Sequence, residues 1–267
     1  MQHRPKRSLG QNFLRDASVS QRIVDALDLQ PDEHVIEIGP GEGALTERLG
    51  QSGAVVTAIE FDSDLAPMLH RRFAQRDHFS VVEADALNVD FAALTHASAK
   101  LIANLPYNIS TPILQRLVEH REMFSRLVLM FQREVVNRIT ATPGGKERGF
   151  LSVIAQNAFE IEHLFDVPPQ AFYPVPKVWS SVIRLTPKPR TEDEAKLREV
   201  VSQAFAQKRK TLANNLARAY PNIAAILSDL ALPAKIRAEE LTLDQWRTLV
   251  QSLTNWQQTA DGPRSSQ

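Results

Sequence analysis

The strongest constraint on the fold is a regular alternation of short apolar runs with amphipathic segments over the first two thirds of the chain. The apolar runs are rich in β-branched residues, as buried strands are, and the segments between them have helical spacing. This alternation predicts an α/β fold, a doubly wound sheet whose strands are mostly parallel. The predicted strands are 34–39, 55–59, 79–82, 100–103 and 126–131, and the predicted helices are 17–29, 44–49, 64–75, 112–120 and 132–141.

The composition changes near residue 188. Residues 159–165 and 180–185 are typical of late strands that pair antiparallel at a sheet edge, and residues 186–194 combine two prolines with a charge run, as linkers do. Beyond the linker the pattern is purely helical, with predicted helices 195–207, 208–219, 221–230, 234–238 and 242–256. We predict a ligand-binding domain over 1–187, a small all-helical domain over 188–257 and a disordered polar tail over 258–267.

Composition excludes several kinds of site. The 267 residues include no cysteine, which rules out disulfides, thiolate metal sites and a cysteine nucleophile. The seven histidines lack ligand spacing, so we expect no metal. No apolar run approaches the roughly 20 residues that a membrane span needs, and no apolar stretch of a signal peptide follows the basic N-terminus. We expect a cytoplasmic protein with no membrane partner.

Positive charge is concentrated in two places, although 31 basic residues balance 31 acidic ones. Residues 1–15 and residues 203–218 each contain four basic residues and no acid. Local patches rather than net charge decide phosphate binding. The three consecutive cations near residue 209 suit a phosphate backbone, and we expect them to fan round a helix end. The candidate nucleic-acid-binding residues are Arg4, Lys6, Arg7, Lys208, Arg209 and Lys210.

A glycine-rich turn stands between the first predicted strand and its helix, with the sequence Glu-Ile-Gly-Pro-Gly-Glu-Gly over residues 37–43. Gly39 and Gly41 allow a tight turn and a close approach of the backbone to a ligand. The spacing differs from the G-x-G-x-x-G of dinucleotide-binding proteins, and Glu37 and Glu42 would repel a pyrophosphate. A cationic sulfonium cofactor with an uncharged ribose fits this acidic turn better, which favours S-adenosylmethionine over NAD.

The next two predicted strands also end in carboxylates. Glu60 ends the second strand, where a carboxylate can accept hydrogen bonds from both ribose hydroxyls. Asp85 ends the third strand and could accept from an adenine amine, with Ala86 beside it supplying a backbone N–H group. Because the carboxyl ends of parallel strands meet at one edge, these groups are expected to lie near the glycine turn.

The fourth predicted strand ends in Asn-Leu-Pro-Tyr, a sequence suited to methylation of an aryl amine. The lone pair of such an amine is delocalised into the ring, so a site must bind the amine through its hydrogens. Asn104 Oδ1 can accept one hydrogen and the Leu105 carbonyl the other, while Pro106 stiffens the turn. Tyr107 offers a ring on which the base can stack. Positioning and electrostatics then suffice for an in-line displacement.

Seven short motifs follow one another along the chain. They are SLGQNFL at 8–14, EIGPGEGALT at 37–46, AIEFD at 58–62, EADAL at 83–87, NLPYNIS at 104–110, FYPVPKVWSS at 172–181 and QAFAQKRKTLANN at 203–215. In this order they resemble the ribosomal RNA adenine dimethyltransferase family, most closely its bacterial small-subunit members. The resemblance extends from Ser8 to about residue 250 and implies a Rossmann-like methyltransferase sheet followed by a small helical domain.

The resemblance also implies roles for single residues. The expected cofactor contacts are Asn12 and Leu14 on the methionine part, Gly39 in the glycine turn, Glu60 on the ribose, Asp85 on the adenine and Asn104 beside the methyl donor. Tyr107 and Phe172 are expected to hold the target base. The family transfers two methyl groups to each of two adjacent adenosines near the 3′ end of small-subunit rRNA. The implied partner is therefore 16S rRNA in an assembling 30S subunit. Lys208 stands where relatives often have arginine, which keeps the charge but loses the bidentate fork.

Three other interpretations remain open from the sequence. A large-subunit rRNA methylase of the antibiotic-resistance type shares the first domain, but such enzymes are strongly basic, whereas this chain has a pI of about 7.1. A non-catalytic ribosome assembly factor could keep the fold, although Glu60, Asn104 and Tyr107 are all intact. An NAD-dependent oxidoreductase is disfavoured by the glycine spacing. We expect a monomer.

Overall fold

The structure, a computed structural model, describes residues 5–6, 9–95, 98–106 and 109–260, with backbone alone for 257–260. Within these residues the chain forms two compact units. The first unit combines Met1–Asn137 with Ala158–Lys188, and the second combines Arg138–Asn157 with Pro189–Gln267. The chain passes between the units at 137–138, 157–158 and 188–189, and the third of these boundaries lies where the sequence predicts one. The sequence did not predict that residues 138–157 leave the first unit.

Nine strands occur in the described chain, all in the first unit. They are β1 Phe13–Leu14, β2 His34–Ile38, β3 Val55–Glu60, β4 Phe79–Glu83, β5 Ala99–Asn104, β6 Phe124–Gln132, β7 Phe159–Val167, β8 Phe172–Tyr173 and β9 Ser180–Pro187. The helices are α1 Ala17–Asp25, α2 Thr46–Leu49, α3 Leu65–Phe73, α4 Phe91–Leu94, α5 Ser110–Glu119, α6 Arg133–Ile139, α7 Phe150–Ala158, α8 Glu194–Ala204, α9 Leu212–Leu216, α10 Ile223–Asp229 and α11 Leu243–Ala260.

Seven of these strands form one sheet in the order β4-β3-β2-β5-β6-β9-β7. The five strands from β4 to β6 are parallel to one another, whereas β9 runs antiparallel to both β6 and β7. The predicted doubly wound sheet and its antiparallel edge are therefore confirmed. Helices on both faces require strands that are apolar on both sides, and Val35, Ile36 and Ile38 of β2 are all buried.

A second, two-stranded sheet was not predicted. In it β1 pairs antiparallel with β8, with Phe13 opposite Tyr173 and Leu14 opposite Phe172. The Arg15 N–H group continues the contact by donating to the Ala171 carbonyl at 2.7 Å. Two residues are too short for a periodic pattern, so only the pairing of distant segments reveals these strands. The consequence is that residues near 12 and 172 lie side by side.

The second unit is helical, as predicted, but several of its helices are shorter than the sequence suggested. Helix α8 ends at Ala204, whose carbonyl accepts a hydrogen bond from Asn215 Nδ2 at 2.6 Å. Helix α9 begins only at Leu212, because Thr211 caps it: Thr211 Oγ1 accepts a hydrogen bond from the Asn214 N–H group. Residues 208–210 therefore lie in a turn between two helices, and the prediction that they fan round a helix end is wrong in that detail.

Other helix boundaries also differ from those predicted from the sequence. Helix α1 ends at Asp25 rather than near 29, because Asp28 has a left-handed φ of 52° that a helix does not tolerate. No helix covers 234–238; a single 3₁₀ turn lies instead at Ala238–Glu240. Helix α11 continues to Ala260, so the first three residues of the predicted disordered tail are helical, and 261–267 lie outside the described residues.

The core of the second unit is built around two fully buried side chains. Trp246 of α11 is buried, with its ring centroid 6.2 Å from that of Phe205. Arg148 is also buried and donates to the carbonyls of Ala141 and Leu241 and to Gln156 Oε1. Burial lowers the pKa of the Arg148 guanidinium. These bonds fasten the loop after α6 to α7 and to the segment before α11.

Candidate active site

A cleft opens in the first unit where the central parallel strands end. The last residues of β3, β2 and β5 are adjacent, because Ile38 is paired with both Ile59 and Ala103. Gly39 therefore follows β2 at the level of Glu60 on one side and Asn104 on the other. The cleft holds about 1260 Å³ of empty space, open solvent at its mouth included. Carboxyl ends of strands are where α/β sheets bind ligands.

The glycine turn forms the floor of the cleft. Gly39 and Gly41 have φ angles of 67° and 58°, which L-residues with side chains rarely adopt. A Cβ atom on Gly41 would lie 3.0 Å from the Phe13 ring. Both the backbone conformation and the neighbouring ring thus require glycine at position 41.

Glu60 is buried at the end of β3 and faces the glycine turn. Its carboxylate accepts the N–H groups of Gly41 at 3.0 Å and Asp62 at 2.9 Å. Burial raises the pKa of Glu60, and the two N–H bonds oppose this shift without reversing it. The side chain is thereby fixed beside the turn, with lone pairs left for the hydroxyls of a ribose.

Glu37 is a second buried carboxyl group beneath the turn. It accepts a hydrogen bond from Thr46 Oγ1 at 2.7 Å. Burial raises the pKa of Glu37 to about 8, and the hydrogen bond from Thr46 only partly offsets this effect. The group is therefore mostly protonated at neutral pH and carries little charge into the cleft. Glu37 therefore repels an anion less than its sequence position predicts.

The end of β4 contributes a polar turn to the cleft. The Asp85 carboxylate accepts hydrogen bonds from the Leu87 N–H group at 2.9 Å and from Asn88 Nδ2 at 2.8 Å, and these two bonds fix its orientation. Ala86 is buried beside it. Phe61, which the sequence analysis did not select, also lines this part of the cleft and is 61% exposed. An exposed phenyl ring that lines the same cleft as the Glu60 carboxylate suits stacking on an aromatic ligand.

Asn104 lies at the opposite side of the turn, at the end of β5. Its Nδ2 group points to the Asn12 carbonyl at 3.5 Å, at the long limit of a hydrogen bond. The amide is thus oriented with Oδ1 away from Asn12. Leu105 and Pro106 continue the chain along the cleft wall. Asn104 lines the cleft, so Oδ1 is the atom of this side chain that can accept a hydrogen bond from a bound amine.

The pairing of β1 with β8 completes the cleft. It places Asn12, Leu14 and Phe172 on the wall, although 158 positions separate Leu14 from Phe172 in sequence. Phe172 is almost fully buried there. Asn12 and Leu14 are near the glycine turn, and the ion pair between Arg15 and Glu42 ties the two segments together.

Eleven of the predicted site residues line this one cleft. They are Asn12, Leu14, Gly39, Gly41, Glu60, Asp85, Ala86, Asn104, Leu105, Pro106 and Phe172. Their individual roles stay predictions. Tyr107, Arg4 and Arg7 lie outside the described residues. The sequence analysis missed Gln11 and Phe61, which also line the cleft. Their neighbours in the motifs, Asn12 and Glu60, were the available clue.

The predicted nucleic-acid-binding cations lie elsewhere. Lys6 does not line the cleft; its ammonium group forms ion pairs with Asp62 and Asp64, both at 2.6 Å. Lys208, Arg209 and Lys210 are exposed in the second unit, and Lys208 donates to the Lys146 carbonyl at 3.3 Å. Among the described candidates, Lys208, Arg209 and Lys210 are thus exposed on a surface, whereas Lys6 is held by two carboxylates.

The site defines a class of enzyme. Its features are the glycine turn on the floor, the buried Glu60 carboxylate, the exposed Phe61 ring and the Asn104 amide at the end of β5, the fourth parallel strand along the chain. This set fits S-adenosylmethionine on the floor and an amine at the amide, as in a Rossmann-like methyltransferase. Among the described residues, no group of three or more acidic or histidine side chains is placed to hold a metal ion. No described helix is both long and apolar enough to cross a membrane.

Comparison with known proteins agrees. The sequence profile of the family described as ribosomal RNA adenine dimethylase matches residues 2–255. The chain is 47% identical over 259 residues to the ribosomal RNA small subunit methyltransferase A of Syntrophotalea carbinolica, covering 94% of this chain and 97% of that one. It is also similar to the crystal structure of a dimethyladenosine transferase from Plasmodium falciparum, with a TM-score of 0.80, 25% identity and coverage of 91% and 98%.

A third similarity is to the crystal structure of the 23S rRNA methyltransferase ErmE, with a TM-score of 0.72, 27% identity and coverage of 91% and 100%. The chain belongs to the ribosomal RNA adenine dimethylase family. It is an S-adenosylmethionine-dependent rRNA adenine methyltransferase, and the predictions of family, fold class, enzyme type and cofactor are confirmed. The oxidoreductase interpretation is excluded.

Gly41→Ala should weaken cofactor binding. The new Cβ atom would lie 3.0 Å from the Phe13 ring. The alanine would also have to keep the φ of 58°, which costs about 1–2 kcal/mol for the backbone alone. We expect about a tenfold higher Kd for S-adenosylmethionine in calorimetry. The matched control is Gly144→Ala, where φ is 80° but no atom lies within 4 Å of the new Cβ. Because Gly144 does not line the cleft, equal affinities for the two variants would contradict a role for Gly41 in cofactor binding.

Glu37→Gln should change the pH dependence of stability. The folded protein keeps the Glu37 proton up to a pKa of about 8, whereas an exposed glutamate loses it near 4.5. Unfolding therefore releases a proton in this window, and stability falls as the pH rises from about 4.5 to 8. Glutamine removes this effect while keeping an acceptor for Thr46. In urea denaturation, the free energy of unfolding of the variant should rise relative to that of the wild type by at least about 1 kcal/mol from pH 5 to pH 8.

The control for this prediction is Glu160→Gln, which replaces an exposed carboxylate. It should follow the wild type at every pH. A constant difference between Glu37→Gln and the wild type from pH 5 to 8 would mean that Glu37 ionises normally in the folded protein.

Proposed function

We propose that this enzyme transfers two methyl groups to N6 of each of two adjacent adenosines near the 3′ end of 16S rRNA, in the small ribosomal subunit. The reaction is supported by one observation above all: Asn104 presents an amide acceptor at the end of β5, directly beside the glycine floor. The substrate is supported by the likeness to a relative named for the small subunit, which spans nearly the full length of both chains.

The chemical step needs positioning more than acid–base catalysis. Asn104 Oδ1 accepts one hydrogen of the adenine amine, and the Leu105 carbonyl accepts the other on the first transfer. These bonds localise the lone pair of N6 toward the methyl group. S-adenosylmethionine, when bound in the cleft, would supply that methyl group from its sulfonium and would leave as a thioether. The new C–N bond leaves a positive nitrogen, which loses its proton to water. Pro106 limits the motion of the turn.

The rest of the cleft divides between cofactor and base. Gly39, Gly41 and Glu60 hold the ribose end, Asp85 and Ala86 contact the adenine, and Asn12 and Leu14 close over the methionine part. Phe172 and Tyr107 hold the target base between them. We assign the first unit to catalysis and the helical unit to RNA binding.

The exposed turn of the second unit, residues 208–210, binds the substrate RNA through its phosphates. Lys208, Arg209 and Lys210 project there without a buried partner, and Lys146 lies next to Lys208. Three adjacent cations match a phosphate backbone rather than one base. Lys6 is a poorer candidate than the sequence suggested, because Asp62 and Asp64 already neutralise it.

A second RNA contact lies beside Phe172. Tyr173 and Trp179 are about half exposed, together with Val175 and Val178. The Arg15 guanidinium lies 5.9 Å from the Tyr173 ring, and that of Arg133 lies 5.5 Å from the Trp179 ring. Exposed rings with nearby arginines bind unpaired bases by stacking. We assign this surface to nucleotides that flank the target adenosines in the single strand.

The enzyme acts where ribosomal subunits are assembled, in the cytoplasm, as a monomer and without a metal. The competing substrate is large-subunit rRNA, which the likeness to ErmE favours. A non-catalytic assembly role would leave the amide at Asn104 without purpose.

The deciding experiment uses small subunits that lack these methyl groups, the purified enzyme and S-adenosylmethionine. Mass spectrometry of the digested rRNA should find dimethyladenosine at the two adjacent positions. Methylation of large-subunit RNA instead would establish the resistance-type activity. If neither rRNA is methylated while a control enzyme is active on the same particles, the assembly-factor interpretation is favoured.

Asn104→Ala should slow methyl transfer far more than it weakens cofactor binding. The variant loses the acceptor for the amine, and removal of one such group costs on the order of 100-fold in kcat. We expect this loss in single-turnover methylation of subunits. The Kd for S-adenosylmethionine should change by less than about threefold. A kcat within tenfold of the wild type would remove Asn104 from the chemical step.

Reversal of the charges at Lys208, Arg209 and Lys210 to glutamate should weaken subunit binding and flatten its salt dependence. Each lost phosphate contact reduces the salt slope by about one unit. Reversal of Glu160, an exposed carboxylate of the first unit, to lysine is the control. An unchanged slope in the triple variant would place these residues outside the interface.

Trp179→Leu and Tyr173→Leu should each raise the KM for subunits about fivefold, since stacking on one base contributes about 1–3 kcal/mol. The KM for S-adenosylmethionine should stay constant. Val55→Ala, at the opposite end of the sheet, is the control for loss of an exposed apolar side chain. If neither aromatic variant changes the KM for subunits, flanking nucleotides do not stack there.

A further inference from the structure

One buried carboxylate in the first unit has no part in the chemistry described above. Asp62 follows β3 by two residues, and its side chain is fully buried. It does not line the cleft. Burial alone would raise the pKa of Asp62, but hydrogen bonds from Lys6, the Asp64 N–H group and Gln11 hold it below its usual value. The carboxylate is therefore charged, and its partners are specific.

Two of those partners, Lys6 and Gln11, come from the N-terminal segment. Lys6 Nζ donates to Asp62 Oδ1 at 2.6 Å, and Gln11 Nε2 donates to Oδ2 at 2.7 Å. The Gln11 amide also accepts the Lys6 backbone N–H group at 2.7 Å, which closes the arrangement. One carboxylate thus binds two residues that lie about 50 positions away in sequence.

The same loop also fixes the ribose-binding carboxylate. The Asp62 N–H group donates to Glu60 Oε1 at 2.9 Å. The segment that Gln11 fastens continues directly into Asn12 and Leu14, which line the cleft. Asp62 therefore connects the wall over the cofactor cleft with the residue at the ribose end.

We infer that Asp62 is a positioning residue for cofactor binding, and that Lys6 and Gln11 latch the segment 9–14 over the cleft through it. Breaking the latch lets this segment open, so the affinity for S-adenosylmethionine falls. The transfer step itself changes little, because no latch residue contacts the reacting atoms. The inference concerns the cofactor alone and does not depend on which rRNA is methylated.

The test measures the Kd for S-adenosylmethionine by calorimetry on the full chain. Asp62→Asn should raise this Kd about tenfold, and Lys6→Met should raise it about fivefold without touching the loop after β3. The double variant should be no more than twofold weaker than Asp62→Asn alone, since both break the same bond. Lys6→Arg should restore most of the affinity.

Asp64→Asn is the matched control. Asp64 pairs with the same Lys6 ammonium at the same distance, but its side chain is 64% exposed, so its loss should change the Kd by less than about twofold. Thermal unfolding of each variant establishes that the protein remains folded.

Hydrogen exchange separates a latch from a merely structural role. Amides of residues 9–14 should exchange faster in Asp62→Asn and Lys6→Met, while those of β3 stay protected. The kcat at saturating cofactor and the KM for subunits should remain within about threefold of the wild type. Unchanged cofactor affinity in both variants, or lost affinity with unchanged exchange at 9–14, would overturn the inference. An inactive enzyme that still shows these changes would contradict the proposed function only.

Discussion

The register of three parallel strands is the constraint on which the site depends. Ile38 of β2 faces Ile59 of β3 and Ala103 of β5, so the next residue of each strand reaches the cleft at one level. Those residues are Gly39, Glu60 and Asn104. A slip of one residue would turn every side chain to the opposite face. Because side chains on both faces of these strands are buried, a slip would also disrupt their packing, so the core and the site depend on the same register.

The site balances charge by burial as well as by pairing. Four carboxyl groups line the cleft, yet Glu37 is largely protonated and Glu42 is paired with Arg15. Glu60 is held by two backbone N–H groups. The cleft is therefore acidic enough for a cation but does not carry four uncompensated charges, which burial would make costly.

Some predictions failed for physical reasons that the sequence does not display. The cations at 208–210 lie in a turn because the Thr211 cap and the Asn215 side chain end the helices on either side. Lys6 was assigned to RNA because it stands in a basic segment, and that role stays a prediction; its ion pair with buried Asp62 is a contact that the sequence did not show. Hydrogen bonds between residues far apart in sequence leave no periodic pattern.

The sequence by itself determined the doubly wound sheet, the order of the motifs and eleven residues of the cleft. The sheet and eight of these residues follow from strand period, glycine turns and strand-end polar groups, which are local features. Asn12, Leu14 and Phe172 were implied only by the family resemblance. Tertiary structure alone decided the pairing of β1 with β8, the membership of residues 138–157 in the second unit and the contacts of Asp62. Each of these joins distant segments, and their pairing is set by packing and burial rather than by local propensity.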